Sequence, residues 1–536
     1  MKINQQKEKS PYIINLKKEI EPVRVVEKKK EFAPKTKKSS FKGLIIFVLI
    51  SFFLIFSFCN LNYFRKASSF LVDTCGNIKR VVKLKEFLPL IKFYKKILAN
   101  PAQQRYLILF QNNNELRPTG GFLGSFAILE LEDNKVKKLE IPGEGPYGFR
   151  NLFAQRQEKW FKPPEPFLMI NSHWEMQDMN WFPDFSASAQ KVSWFYEGAT
   201  GNKVDGVVAF DTVFIEELFK LTGAVELPEY GKVISAENFL WDTQEIVESK
   251  DARASGEPKK FIADLAPLLL NKITSFSKKD YINLLFLIDK MRKEKHFLAQ
   301  FNDEELEKEI LRLGFGGEVK NSQKDFLMVI NTNINGGKTD AMIKQDIIHT
   351  ANVLPDGSII DEVEITRDHQ GDEKNQFTRM TNNNYFRIYV PNGSKLISIE
   401  GYDTPNKEKF LVSEPICEDD KDIKRIEGVK VVDENTSTVI NQEFGKTVFG
   451  NWMILKRGEK KTIKIKYLLP FKFDKSYSLL MQKQAGTKNV QIESRLILPE
   501  ESNLTWSYPQ GLIENNNEID FKDNLDEDKY WAVAFE

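Results

Sequence analysis

Apolar and polar positions follow three different patterns along the 536-residue chain. Residues 43–64 form an uncharged, almost wholly apolar run of 22 residues, long enough for a membrane-spanning helix. From 105 to 320, short apolar runs typical of buried strands alternate with segments of helical periodicity. From 321 to 536, a strand-like period of two dominates. The pattern predicts one transmembrane helix, an α/β head domain with a mixed sheet and helices, and a C-terminal all-β sandwich of one or two units.

The flanks of the apolar run predict its orientation. Residues 23–42 carry eight Lys and Arg, and residues 60–79 carry three. Because positive flanks stay in the cytoplasm, we expect a single-pass protein of the cell membrane with a cytoplasmic N-terminus and an extracytoplasmic bulk. Residues 1–42 then form a basic, disordered cytoplasmic tail, and residues 65–104 form a juxtamembrane helical stalk. Membrane lipid around the helix is the first expected partner.

Charge and composition narrow the remaining classes of function. Lys and Arg total 77 against 76 Asp and Glu, so the whole chain lacks the positive charge of a nucleic-acid-binding protein, and no nucleic-acid partner is expected. The three cysteines and four histidines are scattered without metal-ligand spacing, and the sequence motifs of common hydrolases and dehydrogenases are missing. No cofactor is therefore certain, and Mg²⁺ held by carboxylates is the one candidate. The catalytic residues, if the protein has any, stay unknown at this stage.

A polar, glycine-rich loop, QNNNELRPTGGFLG, starts at Gln111 and joins two predicted strands. Gly120 and Gly121 let backbone N–H groups approach an anion, and Arg117 offers a guanidinium fork to phosphate or carboxylate. The alternative is a glycine-rich turn in which Arg117 pairs with a carboxylate of its own domain, and the sequence leaves both interpretations open. The candidate ligands for an anion such as pyrophosphate are Asn113, Arg117, Thr119, Gly120 and Gly121.

Acidic and aromatic residues near the ends of predicted elements form two further candidate sets. Asp178 and Asp205 could hold a metal ion through oxygen ligands, whereas Asp211 is better explained as the N-cap of the helix that follows it. The segment before another predicted helix is unusually aromatic for a loop, and it either lines an apolar groove or fills the core between strand and helix. Its large side chains are Trp181, Phe182 and Phe185.

Several of these segments together resemble a bacterial family, the domain of unknown function numbered four thousand and twelve. The likeness is carried by LILFQNNNELRPTGGFLGS from Leu107, DMNWFPDF from Asp178 and GNKVDGVVAFD from Gly201. Shorter similar segments begin later in the chain, at Phe301, Asn331 and Thr447. The resemblance covers roughly residues 100–500. The family has no established activity to carry over to this chain.

A second resemblance suggests a chemistry. The segment VDGVVAFDTVFIEELFKLTGAVE, from Val204, is similar to a strand–helix segment of the LytR-CpsA-Psr family. Those single-span, outward-facing enzymes move envelope glycopolymers from polyprenyl-pyrophosphate carriers to the wall, and they hold the pyrophosphate with arginines and an Asp-bound Mg²⁺. The resemblance implies a mixed sheet with helices and an anion-binding role for Arg117. This chain has Thr119 where that family has an aspartate, and Gly143 where it has an arginine. Of the later basic patch, the chain keeps Arg253, Lys259 and Lys260.

These observations predict a membrane-anchored, extracytoplasmic envelope protein that binds or organises a polyisoprenoid-linked or cell-wall glycopolymer. The first alternative is an Mg²⁺-dependent glycopolymer phosphotransferase of LytR-CpsA-Psr type, in which a polyprenyl-pyrophosphate-linked glycopolymer is the substrate. The second alternative is a purely structural or adhesive surface protein that uses the sandwich for contacts with other proteins. The replaced phosphate-handling residues favour binding over transfer, because the chemistry of a site decides function and the fold does not.

Overall fold

A computed structural model describes residues 103–133, 135–499 and 503–536. The tail predicted at 1–42 and the transmembrane helix predicted at 43–64 lie outside these ranges, as does nearly all of the predicted stalk. Among the helices in the described ranges, none is both long and apolar enough to cross a membrane.

The described chain up to residue 320, called the head below, alternates strands with helices, which confirms the α/β pattern predicted for it. Its strands are β1 (Gln104–Asn112), β2 (Phe122–Glu132), β3 (Lys135–Glu140), β4 (Trp160–Phe161), β5 (Gly206–Asp211), β6 (Val225–Leu227), β7 (Lys232–Ile234) and β8 (Phe297–Phe301). Its helices are α1 (Arg150–Gln157), α2 (Phe185–Thr200), α3 (Thr212–Thr222), α4 (Phe239–Val247), α5 (Lys250–Ala254), α6 (Lys260–Thr274), α7 (Lys278–Lys293) and α8 (Glu304–Arg312).

The main sheet of the head is mixed, with the strand order β3-β2-β1-β5-β8. Strands β1 and β5 run parallel, with Gln111 opposite Asp211, and the other neighbouring strands are antiparallel. Because parallel strands end at the same edge of a sheet, the polar residues that end β1 and β5 meet there. The carboxyl ends of parallel strands are also where α/β sheets most often bind ligands.

Each face of this sheet is covered by its own apolar layer. Alternate residues such as Ile108 and Val208 pack on one side with the apolar faces of α3, α6 and α7. The residues between them, such as Leu109 and Val207, pack on the other side with α2 and a cluster of aromatic side chains. The period of two along β1 and β5 therefore buries both faces, which explains their nearly continuous apolar sequence.

The described chain from 321 onward, called the β-rich part below, consists mainly of strands, as the pattern of period two predicts. Its strands are β9 (Asp325–Asn333), β10 (Ile343–Val353), β11 (Ser358–His369), β12 (Asn382–Pro391), β13 (Lys395–Glu400), β14 (Cys417–Glu418), β15 (Val431–Val432), β16 (Val439–Glu443), β17 (Lys446–Leu455), β18 (Lys460–Lys472), β19 (Ser476–Met481), β20 (Val490–Ile497), β21 (Leu504–Tyr508), β22 (Glu514–Asn515), β23 (Glu518–Asn524) and β24 (Lys529–Phe535). One short helix, α9 (Lys421–Glu427), interrupts the strands of this described part.

Two large sheets of the β-rich part share one apolar core. Within the described residues, one sheet has seven strands in the order β13-β18-β11-β10-β20-β23-β22. The other has eight, in the order β15-β16-β17-β12-β9-β19-β24-β21. Alternate residues of β11, such as Val363 and Ile365, meet Ile388 and Leu479 of the opposite sheet in this core. The eight-stranded sheet also contributes Tyr385 to the aromatic core of the head, so the two parts are packed against each other.

Candidate functional site

An apolar cavity of about 170 Å³ lies against the sheet of the head, beside the carboxyl ends of β1 and β5. Its floor is the sheet, and its walls come from α3, α4 and α6. The apolar lining residues include Ile108, Phe110, Ala127, Leu139, Phe210, Ile215, Phe239, Val247, Ile262, Leu265, Ala266 and Leu269. The cavity can therefore take an apolar group, since its lining is mainly apolar, with two hydroxyl groups from Ser125 and Thr243.

The rim of this cavity is polar because the strands end there. It is formed by Gln111, Asn112, Asp211, Thr212, Gln244 and Lys259. Asn112 Nδ2 donates to Gln244 Oε1 at 3.3 Å, which links the end of β1 to α4. Lys259 brings a positive charge to the rim, immediately before α6. The cavity thus combines an apolar interior with an edge that suits a polar or anionic group.

Asp211 supplies a carboxylate to the rim. Its Oδ1 accepts from the backbone N–H of Val213 at 3.0 Å, so Asp211 caps α3 as the sequence predicts. Its Oδ2 lies 2.6 Å from Nδ1 of His296. The side chains meet because β5 and β8 are antiparallel neighbours, with Phe210 opposite Phe297. Sequence reasoning missed this pair, since its members are 85 residues apart and follow no local motif.

Two buried bases surround the Asp211 carboxylate. Burial lowers the pKa of His296, with the negative charge of Asp211 acting in the opposite direction. Burial also lowers the pKa of Lys483 to about 8, again opposed by Asp211. The Lys483 ammonium donates to the backbone oxygen of Glu294 at 2.7 Å. Lys483 belongs to the β-rich part, so both parts of the described chain shape the electrostatics behind the rim.

A larger and more polar cavity of about 610 Å³ lies on the other side of the Asn112–Asn114 segment. The head contributes Asn113, Asn114 and Leu116, and the β-rich part contributes the remaining lining. The polar and charged residues on that side include Asn331, Asp340, Lys344, Gln345, Asp346, Arg367, Gln370, Thr487, Lys488 and Gln491. Arg367 is held by Asp340 at 2.6 Å. Amides and charged groups in this number suit a ligand rich in hydroxyl groups or an anion.

Arg117, the predicted anion ligand, is buried and has internal partners. Its guanidinium contacts the Asp178 carboxylate at 3.2 Å and Glu115 at 3.3 Å. It also donates to the backbone oxygen of Asn333 in the β-rich part. Burial raises the pKa of Asp178 to about 6, against the pull of Arg117. The sequence assigns Arg117 to an anion site and Asp178 to a metal site, and the structure brings the two side chains together. Their contact is the internal ion pair that was the alternative interpretation of the loop.

Thr119 and Gly121 of the predicted anion loop are held by one side chain, Gln111. Its Oε1 accepts from the Thr119 hydroxyl at 3.1 Å, from the Gly121 N–H at 3.2 Å and from Asn180 Nδ2 at 3.0 Å. Gly120 has a φ of +137°, which favours glycine at that position. The loop is therefore held in one conformation by bonds within the protein.

Asn113 is the predicted loop residue that lines a cavity. The side-chain amide of Asn113 donates to the backbone oxygen of Gly486 at 2.9 Å, and Asn113 borders the polar cavity.

The second predicted metal ligand, Asp205, lies at the opposite end of β5. Its carboxylate accepts from the backbone N–H of Arg105 at 2.7 Å, at the start of β1. Asp178 has its own partners, since Asn171 Nδ2 donates to its second oxygen at 2.9 Å. The structure therefore gives Asp178 and Asp205 separate surroundings and does not bring them together as a pair of metal ligands.

The three predicted groove residues lie in the aromatic core of the head. Trp181 is 2 % exposed, Phe182 is 0 % exposed and Phe185 is 1 % exposed. Trp181 also borders a cavity of about 70 Å³ next to Tyr385 and Arg387 of the β-rich part. Arg387 stacks its guanidinium 4.0 Å from the centre of the Trp181 ring. Trp181 thus joins the two parts of the chain, and Phe182 and Phe185 fill the aromatic core.

Residues 102–245 match the family model described as "Protein of unknown function (DUF4012)". The match confirms the family resemblance for this segment, which contains the loop, the aromatic segment, β5 and α3. The matched segment also includes most of the rim of the apolar cavity. A search of curated proteins finds no match to this chain.

Solved structures resemble parts of the chain at low identity. Protein gbs0355 from Streptococcus agalactiae is 12% identical, with 41% of this chain and 76% of that chain covered and a TM-score of 0.27. TagV from B. subtilis is 12% identical, with 41% of this chain and 81% of that chain covered and a TM-score of 0.22. Lin1025 from Listeria innocua is 11% identical, with 42% of this chain and 85% of that chain covered and a TM-score of 0.22.

Proposed function

We propose that this protein binds an amphiphile at the cell envelope, with its polyisoprenoid or other apolar tail in the apolar cavity and its polar head beside the rim. The observation that carries the proposal is the position of that cavity, which lies at the carboxyl ends of β1 and β5 and opens beside polar residues. The larger polar cavity across Asn112–Asn114 gives room for sugars. A polyisoprenoid-linked glycopolymer has an apolar tail at one end and sugars at the other, which matches the order of the two cavities.

The size of the apolar cavity limits what part of the tail it can hold. An apolar cavity of about 150 Å³ in another protein is large enough to bind benzene. The cavity of about 170 Å³ therefore suits a short segment of a branched hydrocarbon chain. Each methylene buried there contributes about 0.8 kcal/mol, so a few methylenes give a measurable affinity.

The polar side of the ligand has a charged group to meet it at the rim. Lys259 belongs to the part of the basic patch that the chain shares with the LytR-CpsA-Psr family, and it lines the cavity. When the tail of the ligand lies in the cavity, its phosphate would lie near the Lys259 ammonium. At that distance the two groups can form a charge-assisted hydrogen bond. On the other side of the turn, Asn113 and Asn114 line the polar cavity, and their Nδ2 groups donate to Gly486 and Asn112 within the protein.

Membrane anchoring belongs to the same proposal. A helix at 43–64 with a cytoplasmic N-terminus would hold the head at the outer surface of the membrane, where polyisoprenoid carriers expose their head groups. Protease added to intact spheroplasts should then digest the chain after about residue 64 and spare the tail. Protection of an epitope placed at the C-terminus would contradict this topology.

Filling the apolar cavity should weaken binding without unfolding the protein. Ala266 lines the cavity from α6, and an indole there would occupy the space that the tail needs. We expect Ala266→Trp to weaken binding of geranylgeranyl pyrophosphate by about tenfold or more, a loss of about 1.4 kcal/mol. Binding is measured with labelled ligand on the full chain in lipid nanodiscs, with empty nanodiscs as the background.

The matched control for this experiment is Ala263→Trp, the same substitution one turn earlier on α6. It should bind like the parent protein, because Ala263 is half-buried outside the lining of the apolar cavity. Competition by geranylgeraniol measures how much the apolar tail of the ligand contributes to binding. Competition by inorganic pyrophosphate measures the contribution of its polar head group. Equal binding by Ala266→Trp and the parent, with both folded, would contradict the proposed position of the tail.

A glycopolymer phosphotransferase is the second candidate, because the rim holds a carboxylate that is oriented by an imidazole. Asp211 has one oxygen on the N-terminus of α3 and the other on His296. Asparagine at 211 keeps a helix cap but removes the charge. Mg²⁺-dependent transfer from a polyprenyl-pyrophosphate-linked sugar that stops in Asp211→Asn would favour the enzyme, and binding without transfer in the parent would favour the binder.

A further inference from the structure

Three side chains with metal-binding atoms meet inside the β-rich part. Asp325 begins β9 of the eight-stranded sheet, and His349 and Asp361 lie on β10 and β11 of the seven-stranded sheet. Each is at most 1 % exposed. One ligand atom from each lies within 4.8 Å of the others. The cluster therefore bridges the two sheets across their shared core, and none of its members lines the apolar or the polar cavity.

Several polar atoms of this cluster have no hydrogen-bond partner among the described residues. They are Nε2 of His349, both carboxylate oxygens of Asp361 and the hydroxyl oxygen of Tyr467. Tyr467 is 0 % exposed and is a neighbour of Asp361 on the adjacent strand β18. Buried polar atoms in proteins are almost always bonded, so four such atoms at one place indicate a ligand that they share.

The distances suit a metal ion better than direct hydrogen bonds. Nε2 of His349 lies 3.5 Å from Oδ2 of Asp325 and 3.4 Å from Oδ2 of Asp361. N–H···O bonds are about 2.7–3.2 Å long. Ligands at about 2.1 Å from a tetrahedral metal ion are about 3.4 Å apart, which matches both separations.

The surroundings hold two of the three ligands in place. Nδ1 of His349 lies 3.0 Å from the Ser494 hydroxyl, which in turn accepts from Trp531 Nε1 at 3.1 Å. A proton on Nδ1 in that bond leaves the Nε2 lone pair facing the two carboxylates, as metal-bound histidines require. Asp325 accepts a hydrogen bond from the Tyr477 hydroxyl. In protein metal sites, hydrogen bonds of this kind fix the orientation of the side chains that bind the metal.

Charge points to a divalent cation. With a metal ion on Nε2, the imidazole is neutral and the two carboxylates give the three ligands a net charge of −2, which a divalent ion cancels in this buried core. Two oxygen ligands and one nitrogen ligand at tetrahedral spacing are typical of Zn²⁺. We propose that Asp325, His349 and Asp361 bind one Zn²⁺ or similar divalent ion, with the Tyr467 hydroxyl beside the fourth position. Buried between the sheets, the ion would stabilise the β-rich part.

Metal content and thermal stability of the full chain test this site. Protein made without a histidine tag should contain about one Zn²⁺ per chain by elemental analysis. Chelation should lower its melting temperature, and added Zn²⁺ should restore it, whereas Mg²⁺ should not. Co²⁺ in place of Zn²⁺ should give the visible absorption of a tetrahedral nitrogen–oxygen site.

The variants His349→Gln and Asp361→Asn should lose both the metal and the Co²⁺ absorption. His369→Gln is the matched control, because His369 is equally buried in the same sheet and its ring bonds the backbone oxygen of Met380 at 2.9 Å. It should keep the metal. A folded parent protein that contains no metal and whose melting temperature does not respond to Zn²⁺ would overturn the proposal, even if the His349 variant failed to fold.

Discussion

Replacing Arg117 with alanine should lower the free energy of unfolding by about 3–5 kcal/mol. The side chain is 1 % exposed, and its partner Asp178 is 2 % exposed at 3.2 Å. The same guanidinium donates to the backbone oxygen of Asn333 in the β-rich part. Truncation would leave a buried carboxylate and a buried carbonyl without these donors. Urea denaturation followed by tryptophan fluorescence measures the loss.

Arg105→Ala is the matched control for this variant. Arg105 is on β1, the strand that precedes the Arg117 loop, and its ion pair with Glu130 is nearer the surface, at 16% and 15% exposure. Its removal should cost less than about 1 kcal/mol. If Arg117 instead holds an anionic ligand, Arg117→Ala would keep the stability of the parent and weaken binding of geranylgeranyl pyrophosphate by about 10- to 150-fold. That outcome would favour the anion-binding interpretation of the loop.

The order of secondary-structure elements was predictable because hydrophobic periodicity is a local property. The apolar run before Asp211 becomes β5, and Asp211 caps α3 with its side chain, as its position before a helical pattern predicts. The change to a period of two near Asn321 likewise marks where strands replace most helices. Each of these predictions needs only the residues within one element.

The role of Arg117 was not predictable from the sequence. Whether its guanidinium meets a ligand or an internal carboxylate depends on Asp178 and Asn333, which follow it by 61 and 216 residues. The same limit applies to the Asp211–His296 pair, which depends on the register of β5 and β8. It applies again to the cluster around His349, whose members lie on three strands of two sheets. Spacing along the chain carries none of this information.

Contacts across residue 320 suggest that the head and the β-rich part depend on each other. The Gln484 side chain donates to the backbone oxygen of Arg117 at 3.2 Å, and Ala485 bridges to Thr119. Lys295 of the head donates to the backbone oxygen of Lys483 at 3.0 Å. The segment that follows β19 therefore completes the surroundings of the loop. That residue 320 separates two domains stays a prediction. The change of hydrophobic pattern there is clear, but these contacts cross it.

The loop itself should be unusually intolerant of one added methyl group. A Cβ at Gly121 would lie 2.2 Å from the backbone carbon of Asn112 and 2.4 Å from the backbone nitrogen of Asn113. Those atoms belong to β1 and to the turn that follows it, and they cannot move without breaking the bonds that Gln111 makes. We expect Gly121→Ala to cost about 3 kcal/mol or more, because overpacking against backbone has no flexible side chain to absorb it. Chemical denaturation measures the change.

Gly124→Ala provides the matched control three residues later, at the start of β2. A Cβ there would lie 3.5 Å from its nearest neighbour, a ring carbon of Phe122, which is an ordinary contact. This variant should stay within about 1 kcal/mol of the parent. If Gly121→Ala folds partially, it should also lose ligand binding, because Asn112 borders the apolar cavity and Asn113 the polar one. Equal stability of both variants would mean that the loop can shift, and that its close packing does not fix the wall between the two cavities.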